Sequence, residues 1–508
     1  MASSMSPEDD VFDRLKRNVD PKVVQAREDA VRGRVRAQYD RAQRTLAKLI
    51  DENSTLPVSI SEIRIEGARH TRKGFLEKVV APALSSRREG SYTLASALEE
   101  LHGRTNVLHQ FGIFHPSISI YLDNTAFSTP TKTDLRALLT VSEMSRFMLK
   151  TGTDLGSAEG TGYINGTYRN VFGGAESLNA SASVGTRTRS AFDANFQSPI
   201  AANPDIIAEA GAYASSRSHK HLASYEEALK GGRLGVKWRS GGDVHEAGFA
   251  GVWRQVTGLS EDASVSVRAD AGDSVKNALN YTFIRDRRDN PLVPRSGYLY
   301  KHSSELAGWA GLGGDVAFAR TEIEAQGAAM IPGTSMSVTA GLRGGLLYPL
   351  SLGLGDTKTG PKPSRINDRF QLGGPTDVRG FREHGLGGKD GEDSVGGDVY
   401  LAGGASILFP LPRLSADKPL RIQAFVNGGR LVGLQGIGGT EAGSGVNVGV
   451  ANAVRMMTRQ LPSIAVGVGV MYAHPVARFE LNFCLPIVAR QGEGARKGLQ
   501  FGVGMNYL

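Results

Sequence analysis

The chain of 508 residues holds a single cysteine, Cys484, so no intramolecular disulfide can brace it. It has no uninterrupted apolar run near ~18 residues, which excludes a transmembrane helix. The opening stretch Met1 to Asp10 shows neither a basic n-region nor an apolar h-region, so no secretory signal is expected. Asp9, Asp10 and Asp13 also argue against a cleaved matrix presequence, a class poor in acids. A Gly-Lys-Ser/Thr phosphate loop, a paired-acid constellation and a nucleophile elbow are all missing, and no enzyme or cofactor is expected. The net charge of +8 invites a nucleic-acid reading, but the basic residues are scattered and match no binding module. Anionic lipid or acidic partner surfaces are the expected recipients.

Glycine, by contrast, is plentiful: 64 residues with no G-X-Y period and no low-complexity block to absorb them. Glycine spread among short alternating runs suits curved strands. From Ser145 onward the chain reads as strands of ~10 to 15 residues between turn clusters such as Asn203-Pro204 and Gly241-Gly242-Asp243, with almost no helical periodicity. Sixteen strands are expected, the first near Ser145 to Gly156 and the last near Lys497 to Leu508. Phe479, Leu481, Phe483 and Leu485 alternate with Arg478, Glu480, Asn482 and Cys484. At the chain end Leu499, Phe501, Val503, Met505 and Tyr507 alternate with Gln500, Gly502, Gly504 and Asn506. Greasy, aromatic-tipped side chains on one face and small polar ones on the other suit a membrane barrel wall. Backbone groups in lipid must all be paired, so such a series should close on itself.

Two further regions precede the strands. Residues 1–56 are expected to form a charged helical arm. Residues 57–144 read as a β-α-α-β-β module: a strand through Val58, Ile60, Ile63 and Ile65, helices over Lys73 to Leu84 and Leu94 to Phe111, then strands at Pro116 to Leu122 and Leu135 to Glu143. Inside the strand-rich region 145–508, the longest strand-poor stretch is 351–396; loops of that length are usually functional or disordered, and the motif it carries gives the functional reading.

That loop contains Gly373-Gly374-Pro375-Thr376-Asp377-Val378-Arg379-Gly380-Phe381, which resembles the loop motif of the BamA-type outer-membrane insertase superfamily. Arg285-Asp286-Arg287-Arg288-Asp289-Asn290-Pro291 through Gly297-Tyr298 resembles a turn of the same family, and the module at 57–144 resembles one POTRA domain. With one such domain and no visible signal peptide, the chain is most similar to the mitochondrial branch, the core barrel subunits of the sorting and assembly machinery. A barrel made in the cytosol and delivered to an organelle needs no export signal.

The resemblance implies a mainly β fold, a sixteen-stranded transmembrane antiparallel β-barrel with one N-terminal α+β POTRA domain and loop 351–396 folded inward. It implies insertion of β-barrel precursor proteins at a lateral gate between the first and last strands, with peripheral complex subunits on the cytosolic face. The place implied is the mitochondrial outer membrane, with the POTRA domain in the intermembrane space. The gate then comprises Phe147, Leu149 and Gly152 on one strand and Gln500, Gly502 and Gly504 on the other. Gly502 and Gly504 equally suit a wall that must leave room for bulky lumen contents. In the family the loop arginine pairs with the barrel wall. Here Asn427 stands where bacterial relatives usually carry Asp, and Glu480, inward by alternation, is the candidate carboxylate. The alternative from another class is a protein-conducting channel or passive pore. His219-Lys220-His221 lacks a third metal ligand and reads as a solvated loop, and Asp286, Arg288 and Asp289 read as an ion-paired turn.

Overall fold

A computed structural model describes residues 21–84, 92–124, 133–156, 159–309, 311–351, 361–411, 419–434, 445–474 and 477–504. The chain divides into two compact units, Met1–Arg69 with Lys73–Met144, and His70–Arg72 with Ser145–Leu508.

The first unit opens with helix α1 (Pro21–Glu52), whose described side chains are almost all exposed. Its polarity leaves no core-facing stripe, so it is held as a solvated helix. The module that follows has four strands, β1 (Pro57–Glu66), β2 (Tyr92–Thr93), β3 (Ser119–Asn124) and β4 (Thr133–Thr140), in the order β2-β1-β4-β3. β1 runs parallel to β4, which requires a crossover, and helices α2 (Lys73–Val80) and α3 (Leu94–Gln110) supply it. Thr93 starts α3 with a reciprocal cap: its Oγ1 accepts from the Ser96 N–H at 3.3 Å, and its own N–H donates to Ser96 Oγ at 3.0 Å. Val58, Ile60, Tyr92, Ala97, Leu101 and Ala137 form a closed core between sheet and helices. The departures from the expected boundaries include two-residue β2, a later start and end for β3, and β4 lying at Thr133–Thr140 rather than Leu135 to Glu143.

The second unit is one antiparallel sheet of sixteen strands. It begins with β5 (Phe147–Gly156), runs through β11 (Asp243–Thr257), β12 (Gly272–Asp286), β14 (Phe318–Met330) and β15 (Ser337–Pro349), and passes the long loop. It resumes with β18 (Val399–Pro410), β19 (Leu420–Val432), β20 (Ser463–Ala473), β21 (Arg478–Val488) and β22 (Gly498–Gly504). Every strand pairs with its sequence neighbour in the sheet, and β5 and β22 are the two ends. Among the described residues no ladder bond joins β22 to β5. Met505 to Leu508 lie outside the described residues.

The sheet wraps around the loop between β15 and β18. Asp368 of that loop meets Arg254 on β11 at 2.6 Å and Lys276 on β12 at 3.4 Å, while Arg379 meets Glu480 on β21 at 2.9 Å. One loop touching strands so far apart in the order requires the sheet to curl into a barrel with the loop inside. Outward positions are apolar: Leu342, Leu401, Val426, Leu481, Phe483, Leu499 and Phe501 are all exposed on the protein.

Among the described residues, α-helices α4 (Lys220–Ala223), α5 (Val265–Ala269) and α6 (Val446–Arg459) interrupt this all-strand reading. The last is a clear exception to the expectation of almost no helical periodicity. Val446, Gly449 and Ala453 give it a packed stripe at helical spacing, but Val446-Asn447-Val448-Gly449-Val450 also alternates like a strand. Inside the long loop, β16 (Gly388–Asp390) and β17 (Asp393–Gly396) form a small hairpin, so the stretch is less strand-poor than its composition suggests.

Candidate functional site

The loop is held inside the barrel by an apolar plug and by a polar clasp. Phe370, Leu372, Val378, Phe381 and Leu386 of the loop pack with Leu347, Tyr400, Ala402, Leu431 and Ala465 of the wall. Val378 and Phe381 are fully buried. Glycine makes the tight path possible. Gly373, Gly374 and Gly380 have φ of 107°, 135° and 88°, a region L side chains avoid. A Cβ on Gly380 would stand 2.6 Å from the Ala465 Cβ. Asp377 braces the same turn, accepting from the Gly373 N–H at 2.7 Å and pairing with Arg343 on β15.

The polar clasp centres on Arg379, which is 1% exposed. Its Nε donates to Glu480 Oε2 at 2.9 Å and its Nη2 to Oε1 at 3.3 Å, a bidentate fork. Glu480 also pairs with Arg478 and accepts from Asn482 Nδ2 at 2.7 Å. Gln423 links the two ends, receiving Arg478 Nη2 at 3.1 Å and donating to Asn482 Oδ1 at 2.7 Å. The guanidinium also lies over the Phe425 ring, 4.8 Å from its centroid. Asn427 takes a different part. With its amide oriented to satisfy both neighbours, it accepts the Arg379 backbone N–H at 2.7 Å and donates to Ala465 O at 3.2 Å. Charge thus comes from Glu480, and Asn427 holds the main chain.

The last strand takes part in the clasp. Gln500 Oε1 accepts the Gly380 N–H at 2.8 Å, and its Nε2 donates to Phe381 O at 3.1 Å. Cys484 Sγ lies 3.4 Å from the same Gln500 oxygen. Backbone bonds from Arg382 N to Gly494 O and from Arg496 N to Gly380 O, both 2.8 Å, tie the loop to the β21–β22 turn. Pro375 sits over Gly502, whose added Cβ would approach the Pro375 carbonyl oxygen to 3.2 Å. Gly502 therefore leaves room for the loop tip. On the first strand, the Tyr163 ring covers Gly152, while Phe147 and Leu149 are exposed outward. Gly504 pairs with Arg478 at the end of β22. A cavity of about 710 Å³ lies along this edge, lined by Pro375, Phe381, Arg382, Leu499, Gln500 and Phe501 among others. Its lining includes Gln500 from the inward face of β22 and Leu499 and Phe501 from the outward face.

At the opposite rim, the turn after β12 folds inward. Val293 packs with Leu408 and Met471, and Arg478 donates to Leu292 O at 3.2 Å. Burial opposes ionisation of Asp289, but the N–H groups of Ser296 and Arg295 outweigh it and hold the carboxyl below its ordinary range. His219 and His221 each face one carboxylate, Glu227 at 3.6 Å and Glu383 at 3.9 Å. No group of three or more metal-ligating side chains occurs among the described residues. Gln423, Arg478 and Pro375 were not singled out from sequence, and Gln500 was expected at the gate rather than as a partner of the loop backbone. Only Gln500's inward place in the alternating last strand hinted at its part.

Comparison with known proteins agrees with this geometry. The Omp85 superfamily domain matches residues 170–507. The SAM50-like protein of Schizosaccharomyces pombe is 38% identical over 470 residues, 92% of this chain and 94% of its own length. The sorting and assembly machinery component 50 homolog of Xenopus tropicalis is 28% identical, covering 89% of this chain and 91% of its own. Among solved structures, BamA from Haemophilus ducreyi lacking POTRA domains 1–3 superposes with a TM-score of 0.68 at 13% identity, over 88% of this chain and 84% of that one. The chain belongs to the Omp85 superfamily and, within it, to the SAM50 proteins.

Proposed function

We propose that this protein is the core of a mitochondrial outer-membrane insertase, which folds β-barrel precursors by pairing them with the open edge between β5 and β22. The observation that carries the reading is the sheet order, in which the two end strands meet no partner in each other among the described residues. An open edge in hydrocarbon leaves N–H and C=O groups unpaired, at several kcal/mol each. A strand of an incoming precursor satisfies them by β-augmentation. Nothing in this needs ATP, a cofactor or covalent chemistry; the partners are precursor proteins, peripheral subunits on the cytosolic face, and lipid, not nucleic acid. The module at 57–144, read as a POTRA domain, lies in the intermembrane space and hands precursors to the edge. The inward loop and the inward turn around Val293 occupy both ends of the lumen, which favours an insertase over a passive pore.

The test is site-specific crosslinking of an arrested precursor to positions 147–156 and 498–504. Crosslinks on both strands support insertion at the edge; crosslinks confined to lumen positions overturn it in favour of a conducting channel. A disulfide engineered across the same strands, with Cys484 replaced, should stop precursor release while the barrel stays folded.

A further inference from the structure

α6 lies on the outside of the barrel wall. It packs on β15, β18 and β19, and the side chains that meet it point away from the lumen. Tyr348 adjoins lumen-facing Leu347 in β15 and therefore points outward; its hydroxyl donates to Asn447 Oδ1 at 2.7 Å. Arg430 lies between lumen-facing Gly429 and Leu431 and points outward too. An outward arginine on a lipid-facing wall is costly. Here it is 5% exposed, because the end of α6 covers it: Arg430 donates to Met456 O, to Gln460 O at 3.2 Å and to Gln460 Oε1 at 2.6 Å. Arg490 adds bonds to Gln460 Oε1 at 3.0 Å and Leu461 O at 2.7 Å. Both anchor points lie at the ends of β15 and β19 nearest the rim from which the long loop departs.

The other flank of α6 is free of the wall. Val448, Val454, Met456 and, just beyond the helix, Leu461 are exposed at 44%, 47%, 37% and 72%. Arg455 and Arg459, one turn apart, project opposite the packed stripe, and the helix contains no acidic residue. A nearby acid among the described residues, Glu493, is engaged by Ser463 Oγ and the Arg490 N–H. Below the helix the same strands present Leu342, Leu401 and Val426 outward. Exposed aliphatics and arginines on one short helix, at the edge of an apolar wall, are what the headgroup boundary accommodates: the aliphatics dip toward the acyl chains while the guanidinium groups reach phosphates.

We propose that α6 is an interfacial helix that binds anionic phospholipid headgroups of the leaflet at the long-loop rim, with Arg455 and Arg459 as the phosphate contacts. This rests on the membrane reading above. The experiment uses the full chain in nanodiscs, with nitroxides on Val448→Cys, on Leu401→Cys as a wall control, and on Glu261→Cys as an exposed-loop control; buried Cys484 stays unlabelled. The Val448 label should collide more with oxygen than with a water-soluble nickel chelate, as the Leu401 label does. Binding of spin-labelled phosphatidylglycerol, relative to phosphatidylcholine, should fall roughly thirty-fold in the Arg455→Ala/Arg459→Ala variant, about fivefold per arginine. A Val448 label that behaves like the Glu261 label, or a double variant with unchanged lipid preference, overturns the proposal. A Leu401 label open to nickel would instead overturn the membrane reading itself.

Discussion

Among the arginine–carboxylate pairs in the lumen of this barrel, two of the same chemistry stand in opposite circumstances. Arg379 and Glu480 have side-chain exposures of 1% and 0%; Arg233 and Asp193, across the lumen wall nearer β5, have 39% and 37%. Their separations are alike, 2.9 Å in each case. The difference is regional. From β18 to β21 the inward residues, such as Gln423, Asn427, Asn482 and Cys484, are buried beneath the loop. Among the described residues within β5 and the next four strands themselves, none is buried to that degree. The open edge therefore joins one strand from a consolidated half, β22, to one from a loosely covered half, β5. If the edge opens as proposed, the larger change is expected on the β5 side, with β22 held by the loop.

The sharpest break of this comparison is truncation of each carboxylate. Glu480→Ala leaves Arg379 and Arg478 charged in a dry site, and removal of one buried partner costs about 3–5 kcal/mol. Asp193→Ala exposes its arginine to water and should cost less than about 1 kcal/mol. Denaturant unfolding of the detergent-held barrel, followed by heat-modified gel mobility, measures both. Equal costs would refute the division into two halves.

Arg379→Ala should do less harm to the fold, because Glu480 keeps Arg478 and Asn482. A loss of about 1.5–3 kcal/mol is expected for the charged hydrogen bonds, with slower insertion of new precursors. Arg379→Lys should restore only part of the rate, since an ammonium cannot form the fork. Precursor import into isolated mitochondria reads the rate, and a parental rate in the Ala variant would detach the loop from the function.

How much of this was legible beforehand follows from the period of the strand. Alternation alone places Glu480 and Gln500 on the inward face, because Phe479, Leu481, Leu499 and Phe501 must face lipid. It gives no loop path, so the contacts of Gln500 with Gly380 and Phe381 could not be read from it. Gln423 was invisible for the same reason: its partners Arg478 and Asn482 lie on β21, two strands away across β20. α6 escaped because its valines fit both periods, and the decision rests on a wall of outward groups, Tyr348 and Arg430, remote in sequence.

A smaller effect should follow from cutting the link between loop and last strand. Gln500→Ala removes two hydrogen bonds to the loop backbone and leaves the Gly380 N–H buried, a cost of about 1–2 kcal/mol. Hydrogen exchange should quicken along β22 and at Gly380 without spreading to β18 or β19. Exchange that quickens instead on β5 would mean that the two edge strands already act as one.

The last expected effect is that of acidity, and it reaches the loop from its other end. His384, next to the loop clasp, is half-buried at φ 52°, and burial pushes its imidazole down to about 4 despite the favourable charge of Glu383. His221 is lowered in the same direction, again chiefly by burial and then by Arg187. Arg187 itself bonds Glu383 at 2.9 Å, and His219 and Arg217 complete the charged surroundings. The unfolded or undocked His384 takes up its proton near pH 6.5, the docked one only near 4. The undocked state therefore binds more protons across that window, and docking weakens as pH falls from about 6.5 toward 4. Above 6.5 there should be no change from this group. Thermal unfolding of the barrel between pH 7.5 and 5 should show the loss, and His384→Gln should flatten it. An undiminished slope in that variant would assign the effect to His221 or to the carboxylates, and would leave the two halves of the barrel equally indifferent to the charge of this loop.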